Sequence, residues 1–215
     1  MSSARKLTIV GGAFLIGAIL LAIYIVFWLS YNPSTIKVGN ATQTSTNMEL
    51  ATTGTIDYGT HPDWVSYLIR QDGKWVNSTV WQVPAHSVVH VTIFEYDTQT
   101  GLRNPFLSQV RGTVGGTATE NGQTLTYVNP NLPAHTFSIP EFGLNVPLAG
   151  ISQSTYPGDL TNPHNTHVTI TFSFKTGGPE TVHWQCFVPC AAGYLFGNGG
   201  PMQTIGYMDG YLKIV

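Results

Sequence analysis

Charge is what this sequence has least of. Lysine, arginine, aspartate and glutamate make up 9% of the 215 residues, with nine cations against eleven anions and a net charge of -2; a typical soluble domain carries roughly 25%. Apart from adjacent Arg5 and Lys6 the cations are scattered singly, so there is no basic stripe to neutralise phosphates, and a nucleic-acid-binding reading is disfavoured. Cysteine is nearly absent as well. Cys186 and Cys190 alone cannot make the disulfide framework of a small secreted fold. The sequence also lacks a G-x-S-x-G elbow, an H-E-x-x-H pair, a phosphate-cradling glycine loop and any H-x-H pair. Its carboxylates form no pair at acid–base spacing. Catalysis by this chain alone is not expected.

What is present begins with an unbroken apolar run over residues 7–29. As a helix it is long enough to cross a bilayer, it is too long for a signal-peptide core, and no small-x-small cleavage site follows it. Arg5 and Lys6 precede it and the next cation is Lys37, so the positive-inside rule puts the N-terminus in the cytoplasm. Trp28 and Tyr31 suit the outer interface. The expected organisation is a cytoplasmic tail over 1–6, a transmembrane helix over 7–29, a Ser/Thr/Asn-rich linker over 30–51 and one extracytoplasmic domain over 52–215, in a single-pass protein of the cell membrane. The membrane and other subunits of a membrane complex are the expected partners. Gly11, Gly12 and Gly17 would let a second helix approach. Asn40-Ala-Thr42 and Asn77-Ser-Thr79 fit the glycosylation acceptor pattern.

Beyond the linker, apolar residues recur with period two, not 3.6. Residues 87–96 place Val89, Val91 and Ile93 on one face. Residues 166–174 set Val168, Ile170, Phe172 and Phe174 against His167, Thr169, Thr171 and Ser173. Shorter candidates lie over 124–128, 134–139, 181–186 and 210–215, separated by Gly and Pro clusters. Many short strands with turns between them imply an all-β sandwich or barrel. Trp64, Trp75, Trp81 and Trp184 are expected in the core or at an interface. His61, His86 and His90 are expected at the surface, and His183 in a structural role.

Three segments carry chemistry. His135-Thr-Phe-Ser-Ile-Pro-Glu-Phe-Gly-Leu-Asn145 follows the pattern H-x-F-x-[IV]-P-x-[LF]-G-[VL]-[KN]. Pro179-Glu-Thr-Val-His-Trp-Gln-Cys186 sets a cysteine seven residues after a proline, and Cys190 completes Cys-x3-Cys. Met208-Asp-Gly-Tyr-Leu-Lys-Ile-Val215 follows M-x-G-x-[VL]-x-V. Together, over about residues 130–215, they resemble the cupredoxins, and in particular the copper domain of cytochrome oxidase subunit II. That resemblance implies a Greek-key cupredoxin-like β-sandwich and copper as cofactor. It implies His135, Cys186, Cys190 and Met208 as ligands, with Met202 as an alternative to Met208. It also implies electron transfer within a membrane respiratory or oxidising complex. Thiolate, thioether and imidazole donors suit copper.

The sequence departs from that pattern at several places. Glu180 and Val182 replace the usual Gly and Tyr, and no histidine lies between Cys190 and Val215. Tyr194 stands where the binuclear pattern has its second His, and Gly197 where it has its Met. His183 is a poor substitute, because three positions along a strand put it on the face opposite Cys186. His164 and His167 lie near a loop that would have to fold over. Three readings of the cysteine pair stay open: copper ligands, a Cys186–Cys190 disulfide in a metal-free accessory subunit, or free buried thiols. The missing histidine favours the disulfide, and the retention of both His135 and Met208 favours copper.

Overall fold

The computed structural model describes residues 3–25 (side chains from residue 10), 34–54, 56, 61–152, 166–190 and 199–215; Trp28, Tyr31, His164, Tyr194 and Gly197 lie outside them. The chain divides into two compact units, Met1–Pro33 and Ser34–Val215.

The first unit contains helix α1, Ser3–Tyr24. Among the described residues, no helix is long and apolar enough to cross a membrane. The transmembrane helix expected over 7–29, and the single-pass cell-membrane localisation built on it, are therefore corrected.

The second unit is all-β. Its strands are β1 Thr35–Lys37, β2 Ser45–Thr53, β3 Ser66–Gln71, β4 Lys74–Val76, β5 Val80–Val83, β6 Val88–Glu95, β7 Ala118–Glu120, β8 Gln123–Leu125, β9 Pro133–Ile139, β10 Leu144–Ala149, β11 Val168–Lys175, β12 Glu180–Gln185 and β13 Asp209–Ile214. One sheet has the order β1-β5-β13-β12-β9-β10 and the other β4-β3-β2-β6-β11-β7-β8. Pairing is mixed: β2 runs parallel to β6, and β5 parallel to β13. The expected β-sandwich is therefore found, built from non-consecutive neighbours.

The linker expected over 30–51 is corrected, because residues in it form β1 and most of β2. Its Ser, Thr and Asn content hid a strand alternation. In β2, Thr46, Met48 and Leu50 are buried while Ser45, Asn47 and Glu49 are exposed. Where one face meets water, as in β6, the period of two is clean: Val89, Val91, Ile93 and Glu95 point in, and exposed His90 bonds Ser173 Oγ through Nδ1 at 2.7 Å. β9 and β10 are buried at every position, so they show no alternation to detect. Pro147 within β10 is accommodated because β10 ends its sheet.

Trp81 and Trp184 stack at the centre of the core with ring centroids 4.5 Å apart and planes 8° from parallel, and Tyr67 meets Trp184 edge-on at 4.9 Å. Each indole N–H has a partner: Trp81 donates to the Ser78 carbonyl and Trp184 to the Thr79 carbonyl. Trp64 is also buried and Trp75 half-buried. His61 stacks on Trp64 at 3.7 Å and is half-buried, not freely exposed as expected. Gly210 lets β13 run beside β5, since a Cβ there would stand 1.9 Å from the Thr79 carbonyl oxygen. Gly210→Ala is expected to destabilise the fold by about 1–3 kcal/mol through overpacking, read as a lowered denaturant midpoint at unchanged slope. An unchanged midpoint would mean that this strand contact is not tight.

Candidate metal centre

The candidate centre lies at one edge of the core, where three chain segments meet. His135 comes from β9. Cys186 directly follows β12, which bridges to β9 through Gln185 and Ser138. Cys190 lies on the turn beyond, after Pro189. Backbone bonds set this geometry: Cys186 N–H donates to the Met208 carbonyl at 3.0 Å, and Phe187 N–H to Thr136 Oγ1 at 2.8 Å.

These segments bring one imidazole nitrogen and two sulfurs together. His135 Nδ1 lies 3.1 Å from Cys190 Sγ and 3.8 Å from Cys186 Sγ, and the two sulfurs are 3.0 Å apart. The ligand atoms of His135, Cys186 and Cys190 all fall within 4.8 Å of one another, and all three residues are buried. The thiols are not bonded to each other. Further contacts hold the sulfurs: Thr136 N–H donates to Cys186 Sγ at 3.4 Å, and Cys190 Sγ donates to the Val188 carbonyl at 3.1 Å.

The two methionines occupy different places. Met202 Sδ accepts from Cys190 N–H at 3.3 Å, and the Met202 carbonyl accepts from Gln185 Nε2. The Met202 sulfur is thus beside the cluster. Met208 meets the site through its backbone carbonyl, and its buried side chain belongs to the same core cluster as Cys186 and Cys190. Of the histidines weighed as substitutes, His183 pairs with Asp209 through Nε2, and His167 packs on Phe94 and Tyr96 with centroids 5.4 and 5.1 Å away.

Two acidic residues reach the site that the sequence reading did not single out. Asp97 Oδ2 lies 3.2 Å from His135 Nε2. Glu95 is wholly buried; its Oε1 accepts from Asp97 N–H at 2.8 Å, and its Oε2 has no partner. The signal was available, because Glu95 continues the inward parity of Val89, Val91 and Ile93, and a carboxylate at an inward position is rare without a reason.

The charges follow from burial and proximity. Burial favours the neutral Cys186 thiol, but the hydrogen bond from the Cys190 thiol and the adjacent His135 outweigh that and hold Cys186 well below the usual thiol range. Burial and the neighbouring Cys186 push Cys190 well above it. Burial disfavours an imidazolium at His135, yet Glu95, Asp97 and Cys186 together raise it. Burial lifts Glu95 to about 7, with His135 opposing.

No family model matches the chain, and no curated relative matches it. Among solved structures it is similar to the copper protein rusticyanin: the Thiobacillus ferrooxidans protein at 12% identity and TM-score 0.36, over 86% of this chain and 85% of that one. A reduced form gives 12% identity and TM-score 0.36, over 86% of this chain and 87% of that one. Likeness at this level leaves the chemistry of the site to its own geometry.

Glu95 gives a prediction with a definite sign. Its carboxyl titrates near 4.5 unfolded and at about 7 folded, so the folded state holds a proton that the unfolded state releases. Stability contributed by neutral Glu95 is complete below pH 4.5 and falls away as pH rises to 7. Glu95→Gln is expected to match the wild type at pH 4 and exceed it by about 3 kcal/mol at pH 8, by urea unfolding across that range. A constant difference at every pH would show that Glu95 titrates alike in the folded and unfolded states.

Proposed function

We propose that this chain is a copper-binding cupredoxin that passes single electrons. His135 Nδ1, Cys186 Sγ and Cys190 Sγ would hold the copper, with Met202 Sδ as a further donor in preference to Met208. The observation that carries this reading is the convergence of one nitrogen and two sulfurs, within 4.8 Å and buried, from two separate strand ends. The donor set is soft sulfur with imidazole, which suits copper over calcium or magnesium.

Copper bound there would supply a one-electron change. The protein's part is to fix the donors and keep water out. His135 is held by β9, and Cys186 by its backbone bond to Met208 and the Thr136 amide on its sulfur. Such a framework leaves the ligands little to rearrange when charge changes. The other redox partner would be a protein of an oxidising or respiratory assembly, as the resemblance to subunit II implies.

One observation favours a second reading, a metal-free accessory protein. The sulfurs are 3.0 Å apart, so a small shift would bring them to the roughly 2.05 Å of a disulfide.

The full chain, loaded with copper, separates the two. Expected for the first reading are stoichiometric copper, strong thiolate-to-copper absorption in the visible, and loss of both in His135→Ala and Cys186→Ser. The electron paramagnetic resonance spectrum then counts the coppers. Met202→Leu should shift the absorption, while Met208→Leu should leave it in place and lower stability. Copper must displace protons from His135 and the thiols, so its apparent affinity should rise with pH. No copper together with no titratable thiol would establish the disulfide-stapled scaffold instead.

A further inference from the structure

We propose that Asp97 is the positioning residue of this centre: it keeps the proton of neutral His135 on Nε2 and so leaves Nδ1 bare toward Cys186 and Cys190. The purpose of this arrangement rests on the copper reading; the arrangement itself rests on geometry.

His135 is 1% exposed, so water cannot serve its ring nitrogens. A neutral imidazole has one N–H and one lone pair, and which nitrogen holds the proton depends on what each faces. Nε2 faces Asp97 Oδ2 at 3.2 Å, and Nδ1 faces Cys190 Sγ at 3.1 Å. A carboxylate is an acceptor only, and bonds to it are stronger than bonds to sulfur. The Asp97 side therefore takes the proton, and the sulfur side receives the lone pair that a metal needs.

Asp97 is itself restrained. Its Oδ1 accepts from Thr98 N–H at 2.7 Å, and its backbone N–H donates to Glu95 Oε1 at 2.8 Å. Its carbonyl accepts from Ile151 N–H at 2.9 Å. Gly54 packs so closely that a Cβ there would stand 3.0 Å from Oδ1. A carboxylate behind a ligating histidine orients the ring and raises its basicity. Neither Asp97 nor Gly54 lies in a segment that resembles a copper motif.

The test is a long-range 1H–15N correlation spectrum of the full metal-free chain, recorded at the alkaline end of the His135 titration, with copper affinity measured alongside. In the wild type the neutral ring is expected to carry its proton on Nε2. In Asp97→Ala the proton should move wholly or partly to Nδ1, and copper affinity should fall by about 10–100-fold. Asp97→Asn retains an acceptor oxygen and should restore the Nε2 tautomer. Gly54→Ala, which displaces the carboxylate without removing it, should shift the tautomer in the same direction as Asp97→Ala. A neutral ring still protonated on Nε2 in Asp97→Ala overturns the proposal, as does a tautomer shift with unchanged copper affinity. A wild-type chain that binds no copper, but whose tautomer follows Asp97, would sink the copper reading and leave the tautomer assignment standing.

Discussion

A buried imidazole cannot rely on water as a hydrogen-bond partner, and much of this molecule's chemistry is arranged around that constraint at His135. Each ring nitrogen must find its partner in the protein. Asp97 stands on one side and two sulfurs on the other. Those partners must in turn be satisfied, which is why Asp97 is held by Thr98, Glu95 and Ile151, and the sulfurs by Thr136 and Val188. The backbone around the site turns many of its amides and carbonyls toward this one cluster.

The sparse charge of the chain makes the cluster more unusual. Five ionisable groups, Glu95, Asp97, His135, Cys186 and Cys190, gather where the dielectric is low. Charges in such a place raise and lower one another strongly. One thiol is held down and the other pushed up, the imidazole favours its charged form, and Glu95 stays near neutrality. A cation placed among the sulfurs would be welcome in this field, and that is the electrostatic case for a metal.

Around the cluster, the fold supplies stiffness. The centre is continuous with the hydrophobic core, which includes Cys186, Cys190 and Met208. The stacked Trp81 and Trp184 rings tie β5 to β12 across β13, where Gly210 leaves room for the Thr79 carbonyl and the Trp184 ring. Donors fixed in this way cannot follow the geometric preference of each oxidation state, which is what rapid single-electron transfer asks of a protein.

The local pattern of the sequence settled the class of the fold, and three residues it drew attention to, His135, Cys186 and Cys190, lie together in the structure. Period-two strands in β6 and β11 announced a sandwich, because strand parity is a local property, while the resemblance to copper-protein motifs singled out His135, Cys186 and Cys190. Other features were not legible. β9 and β10 are buried on both faces and carry no alternation. The Ser/Thr-rich residues before position 52 looked like a linker until β2 paired with β6. The apolar run over 7–29 suggested a membrane span, and among the described residues no helix is long and apolar enough to be one. The contact of Met202 Sδ with the Cys190 amide, and the arrival of Asp97 behind His135, belong to tertiary structure alone. Asp97 lies 38 positions from His135 in the chain, and only the packing of one sheet on the other brings its carboxylate within reach of the ring.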